Sequence, residues 1–219
     1  TGPAMPGRCC EEAEGELIDE YWQFLRRKFA DAAVMALADL KPAKMGFCTG
    51  WAPERVAYIR RYKMKDGTTL TCPPIGDPNI DHPIGELDQR VNVLRFDREG
   101  AESICLVNFG NHPDVVGGNK ISADWPGFTR RMVEADEDAL CLCVVGCQGD
   151  SNHVDFFKQK EERFPNGERY LHSEYMGRSI ADTVKQIWDK TTVHTGETVF
   201  GGIEVIYNKT NTEGEEKYD

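Results

Sequence analysis

Residues 103–109, Ser103-Ile104-Cys105-Leu106-Val107-Asn108-Phe109, run straight into Gly110-Asn111-His112-Pro113-Asp114. A strand-length apolar run thus ends in polar residues that a hydrophobic core would reject. The pattern recurs at Leu140-Cys141-Leu142-Cys143-Val144-Val145, which empties into Gly146-Cys147-Gln148-Gly149-Asp150-Ser151-Asn152. Between the two, Ser122-Ala123-Asp124-Trp125-Pro126 carries the polar-then-proline signature of a helix start. A strand–helix–strand unit of this kind closes right-handed with its strands parallel. Both loops then leave from the carboxyl edge of one sheet, where open α/β sheets bind their ligands. His112 and Asp150, far apart in sequence, are expected on one rim. The expected class is α/β, with a mixed, largely parallel sheet flanked by helices.

Working outward, Arg90 to Asp97 alternates apolar and polar residues, and Arg98-Glu99-Gly100 turns it into the Ile104 strand as a hairpin. Lys44 to Gly50 reads as another short strand. Glu14 to Leu40 places Leu17, Tyr21, Leu25, Phe29, Ala32 and Ala36 at helical spacing, a stripe expected to pack on the sheet. Arg169 to Lys190 forms a second amphipathic helix, and Val199 to Tyr207 a further β segment. Arg55, Arg60, Arg61, Lys63 and Lys65 concentrate positive charge in a loop or edge strand. Pro73 to Pro83 reads as an irregular loop, of the length that often carries function. Thr1 to Arg8 is irregular and 208–219 a frayed tail, leaving residues 1–219 as a single domain.

The formal net charge of −11 opposes a nucleic-acid partner, because a basic stripe would have to overcome that field. The apolar runs are strand-length, so no integral membrane segment is expected, and no secretory signal is read. None of the eight cysteines forms a CxxC pair, which argues against a zinc–thiolate cluster. They read as reduced thiols, a usage that leans cytoplasmic.

The rim residues admit several chemistries. His112 is a metal-ligand candidate, but zinc takes about four ligands. Asp114, Asp150, His153 and Asp155 could complete a set, although nothing in their spacing demands it. A calcium loop at Asp150–Asp155 fails at Val154, where an oxygen ligand is required. A serine hydrolase would use Ser151 as nucleophile and His112 as base, although no G-x-S-x-G elbow surrounds Ser151.

The stretch Asn108–Arg131, NFGNHPDVVGGNKISADWPGFTRR, resembles the neutral/alkaline non-lysosomal ceramidase family in its bacterial ceramidase-like branch. There a strand ends in a His-containing loop, followed by an I-S-x-D-x-x-G helix start. Leu40-Lys41-Pro42-Ala43 through Gly50 is similar to the family's helix-to-strand passage. Ile59-Arg60-Arg61-Tyr62-Lys63-Met64 with Asp66-Gly67 resembles its N-R-R-Y-x-M-x-D-G stretch, with Ile59 in place of Asn. Asp88 with Val91-Asn92-Val93-Leu94-Arg95-Phe96 resembles its D…V-x-V-L-R-F strand. Gly149-Asp150 matches the G-D of its G-D-V-S-P-N or G-D-x-N-P loop, continuing here as Ser-Asn-His. The likeness covers roughly residues 1 to 190.

The resemblance implies zinc-dependent hydrolysis of an amide, an N-acyl lipid or another linear amide, with His112 as a zinc ligand. It implies that Arg60 orients substrate or steadies negative charge; Ser151, in a loop that departs from the family's, is the second catalytic candidate, through the serine-hydrolase alternative. Asn111, Asp150 and Asn152 are the expected substrate-contacting residues of the rim. The family's H-T-H-x-G-P zinc motif meets this chain only at Thr1-Gly2-Pro3, so the other ligands are expected beyond it. Three readings stand at this point: a zinc amidohydrolase, a serine hydrolase using Ser151, and a non-catalytic α/β module with an incomplete site.

Overall fold

The computed structural model describes residues 12–117, 121–158, 169–194, 209–210 and 216–217. The expected irregular start at Thr1–Arg8 and the β segment at Val199–Tyr207 lie outside them. Of the expected tail, Lys209–Thr210 (β11) and Glu216–Lys217 (β12) are described, and they pair antiparallel with each other.

The parallel unit forms as the alternation of residues demands. Strand β7 (Ser103–Phe109) and strand β8 (Ala139–Val145) pair in parallel, with Cys105 opposite Cys141 and Phe109 opposite Val145. Helix α2 (Asp124–Asp136) crosses between them. Strand β6 (Arg90–Arg98) makes the expected hairpin with β7, and β1 (Ala43–Trp51) pairs antiparallel with β6. A short strand, β10 (Thr192–His194), closes the far edge, giving the order β10-β1-β6-β7-β8. The α/β class and the mixed sheet stand, but the parallel share is smaller than expected. Three of the four pairings are antiparallel, because only β7 and β8 are separated by a crossover helix.

One face of this sheet carries Val91, Val93, Cys105, Val107, Phe109 and Cys141, all buried beneath α2 and helix α3 (Arg169–Trp188). Val133 of α2 and Met176, Ile180 and Val184 of α3 fill the layer. Each such side chain contributes about 1.5–3 kcal/mol on leaving water. The two helices cross where α3 has no side chain. A Cβ on Gly177 would stand 2.4 Å from Phe128 Cβ and 2.8 Å from the Trp125 carbonyl oxygen.

The opposite face is apolar but open. Phe47, Leu94, Leu106 and Leu142 align across four strands, and Phe47 and Leu142 remain 57% and 52% exposed. The expectation that the first helix packs on the sheet is corrected here. Helix α1 (Glu12–Ala38) forms, yet Phe29 is 69% and Leu37 68% exposed. Residue spacing reports that a helix owns an apolar face; it carries no information on which surface covers that face.

The basic stretch is also more ordered than a loop. Strand β3 (Arg61–Met64) is the centre of a small sheet, between β4 (Thr69–Thr71) and β5 (Ile80–Pro83). The end of the proline-rich segment is therefore a strand. Tyr62, Met64 and Ile80 bury against Val154 and Phe156, forming a second core under this sheet. Lys63 and Lys65 turn their ammonium groups onto the Gly67 and Pro78 carbonyls.

Candidate active site

The two loops at the carboxyl ends of β7 and β8 meet. A Cβ on Gly110 would lie 2.7 Å from the Cys147 carbonyl oxygen, so only glycine permits the chains to approach this closely. Gly146 N–H donates to Phe109 O at 3.0 Å, and the Ser151 hydroxyl reaches Gly110 O at 2.7 Å and Asn111 Oδ1 at 3.1 Å. A third segment joins them. Strand β2 (Tyr58–Ile59) pairs with β9 (Ser151–Asn152), and Asn111 Nδ2 donates to Val56 O at 3.1 Å. All three segments are thereby locked into one rim.

Arg60 belongs to this rim. Its backbone N–H donates to Asp150 O at 2.9 Å, and its Nε donates to Gly149 O at 2.9 Å. Arg60 is half-buried and the Asp150 side chain is exposed, on neighbouring segments. Asn111, Ser151 and Asn152 are buried instead. Asn152 accepts from Val154 N at 3.1 Å and donates to Asp114 Oδ2 at 3.4 Å. The structure thus brings the six sequence-selected residues onto one rim, but sorts them. Asp150 is exposed and Arg60 half-buried, while Asn111, Ser151 and Asn152 tie the segments together. Among the described residues, the partners of the Ser151 hydroxyl are Gly110 O and Asn111 Oδ1 rather than an imidazole.

His112 stands apart from both groups. Its carbonyl accepts from Trp125 Nε1 at 3.3 Å, while its ring Nε2 is buried with no hydrogen-bond partner among the described residues. An imidazole nitrogen shielded from water and left unbonded costs about 1–3 kcal/mol, a cost that a bound ligand would remove. Beside it, the half-exposed Asp114 carboxylate accepts from His153 Nδ1 at 3.1 Å. Burial alone would raise the Asp114 carboxyl. The hydrogen bond with His153, and then the positive fields of His153 and His112, outweigh burial and hold it below the usual carboxylate range. Tyr58, opposite Asn152, is pushed up to about 12, chiefly by burial and then by Asp155, so its hydroxyl stays a neutral donor at ordinary pH.

Other residues of the site carried no sequence signal. The His172 ring lies 5.7 Å from His153 and stacks 6.1 Å from Tyr175. Both His172 and Tyr175 lie on α3, which brings the His172 ring beside His153. Asp124 was visible only as a helix opener. It is buried, holds a left-handed φ of 53°, and accepts three hydrogen bonds.

The donor set tests the fit to zinc. One shielded imidazole nitrogen suits a metal, with a carboxylate and a second imidazole nearby. Among the described residues, no group of three His, Cys, Asp or Glu side chains is placed to hold an ion. The fit is that of one ligand of a site rather than of a complete site.

Neither the models of protein families nor the curated proteins contain a match to this chain. Among solved structures, the fold matches the crystal structure of neutral ceramidase from Pseudomonas aeruginosa, with a TM-score of 0.55 and 15% sequence identity. The match covers 95% of this chain but 32% of that one, so the chain spans about a third of the length of the structure it resembles. At that identity the likeness establishes a shared fold: the chain has a neutral-ceramidase-like α/β architecture.

Proposed function

We propose that this chain carries part of the active site of a zinc-dependent amide hydrolase, with His112 as one metal ligand. The observation that supports this reading is the buried His112 Nε2 without a hydrogen-bond partner, at the carboxyl edge of the parallel strand pair. The remaining ligands come from outside the described residues. When bound, zinc supplies Lewis-acid polarisation of a carbonyl and acidifies water, whose pKa falls to about 7 beside it.

The chain's own residues then have distinct tasks. Arg60, anchored on Gly149 O through Nε, keeps further N–H donors with which to orient a substrate carbonyl or steady developing negative charge. Asp150 faces the same solvent-filled edge and contacts the polar end of the substrate. Asn111, Ser151 and Asn152 hold the loops in register. The substrate class is an N-acyl lipid or another linear amide. No described helix is long and apolar enough to cross a membrane. The Ser151 nucleophile alternative has no supporting contact, since its hydroxyl is held by Gly110 O and Asn111 Oδ1.

Zinc stoichiometry tests the assignment. The expected outcome is that the protein, in the longest form that carries the remaining ligands, retains zinc through desalting, and that His112→Ala in that form loses it while still unfolding cooperatively. Equal zinc content in the two proteins refutes the ligand role. In an assay of amide cleavage, Arg60→Ala is expected to lower kcat/KM about 100-fold without altering zinc content, the scale of losing one preorganised donor.

A further inference from the structure

We propose that Asp124 is the positioning residue for His112, and that Trp125 completes a clamp fixing where the imidazole stands; this rests on the zinc reading above. Asp124 is 5% exposed and adopts a left-handed φ of 53°. A non-glycine residue is rarely found there in a helix-opening position without compensating bonds. The compensation is extensive. Oδ1 accepts from Trp125 N at 2.6 Å and from the Ser173 hydroxyl at 2.9 Å, and Oδ2 accepts from Val116 N at 2.8 Å. The Asp124 N–H itself donates to Ser122 Oγ at 3.0 Å.

These bonds join three segments: the loop that follows His112, the first turn of α2, and α3 near its start. The next residue, Trp125, is 1% exposed, donates from Nε1 to the His112 carbonyl, and meets the Phe109 ring edge-on at 5.7 Å. Two consecutive residues therefore grip the His112 loop at both ends, at residue 112 and at residue 116. The ring nitrogen between those grips is the one left buried and unbonded.

The chemistry of the clamp requires a carboxylate. All three side-chain partners are donors, and both oxygens accept. An asparagine offers a single acceptor oxygen, so its amide N–H would oppose either Val116 N–H or the Trp125 and Ser173 donors. The Asp124→Asn substitution is nearly isosteric and changes mainly this pairing.

The test uses the protein in the longest form that carries the remaining ligands, zinc ions alone, and two variants. Asp124→Asn is expected to unfold cooperatively and to exchange its Val116 amide about tenfold faster. It is also expected to displace the His112 ring resonance in a histidine ¹⁵N spectrum and to weaken zinc binding about 10–100-fold, the usual effect of removing a ligand's support. Trp125→Phe keeps the buried ring and removes only the Nε1–H; it is expected to displace the same resonance while Val116 exchange stays at the wild-type rate. If the His112 resonance is unmoved in both folded variants, the proposal is overturned. If Asp124→Asn fails to fold, Trp125→Phe decides by the same criterion. If the resonance moves but neither wild type nor variant binds zinc, the positioning role stands and the zinc reading falls.

Discussion

Replacing Gly177 by alanine sets two physical rules against each other. Alanine is the better helix former by about 1 kcal/mol, so for a residue inside α3 propensity alone predicts a more stable protein. Packing predicts the opposite. The added Cβ would stand 2.4 Å from Phe128 Cβ, 2.8 Å from Trp125 O and 3.0 Å from Thr129 N. Two of these three atoms are backbone of α2 and cannot rotate aside. Restoring ordinary contact requires the helices to separate by about 1 Å, since carbon atoms pack best near 3.5–4.0 Å. Separation also stretches the 3.2 Å bond from the Thr129 hydroxyl to Gly177 O, in a site where an unmade bond costs about 1–3 kcal/mol. Overpacking of a tight core costs typically about 1–3 kcal/mol. Summed against the propensity gain, the net expectation is a loss of about 1–5 kcal/mol. For a chain of this size each kcal/mol lowers Tm by about 2–4 °C, so the expected fall is about 2–20 °C by calorimetry or far-UV circular dichroism. A Tm equal to or above the wild type would show that the helix crossing is loose, and would refute the packing argument. Because Trp125 supports His112 through its indole N–H, the same substitution is also expected to disturb the His112 ring resonance.

Cysteine reactivity and alkaline stability provide two further checks. Cys72 and Cys147 are exposed, whereas Cys105 and Cys141 are buried. The hydrogen bond with Cys105 raises the Cys141 thiol to about 12, and the one with Cys141 raises Cys143 above its ordinary value. Labelling at pH 8 followed by peptide mapping is expected to modify Cys72 and Cys147 rapidly and Cys105, Cys141 and Cys143 only after unfolding. Rapid labelling of Cys141 in the native protein would contradict the buried thiol row. The same thiol, from 9.0 to about 12, and Tyr58 and Tyr62, from 10.0 to about 12, all keep their protons longer in the fold than in the unfolded chain. The unfolded chain then binds fewer protons across that window, so stability is full below about pH 9 and falls as pH rises toward 12. Urea midpoints between pH 8 and pH 11 are expected to decline, and a flat profile would remove the burial argument.

What could be read from residues alone, and what could not, divides along the range of the interaction involved. The β7–α2–β8 unit was legible because each strand is a continuous apolar run and each loop breaks it with polar residues, both local signals. The close meeting of the two loops follows from the parallel pairing, and Gly110 is the residue that makes the approach possible. The antiparallel half of the sheet was less legible, because nothing in β1 states whether its neighbour runs with it or against it. The destination of the α1 stripe was illegible for the same reason: an apolar face records that burial is favourable but not what buries it. The two-residue pairing of β2 with β9 carries no pattern at all, yet it is what delivers Arg60 to the Gly149–Asp150 loop. Asp124 is the sharpest case. Locally it looks like any polar residue opening a helix, and its position after Ser122 suggests a cap. Its actual partners lie in three segments, and the left-handed backbone that aims its carboxylate at them runs against its own conformational preference. A residue held against local preference by long-range bonds is invisible to local pattern, and that same departure from local consistency is what marks it as serving the site rather than the helix.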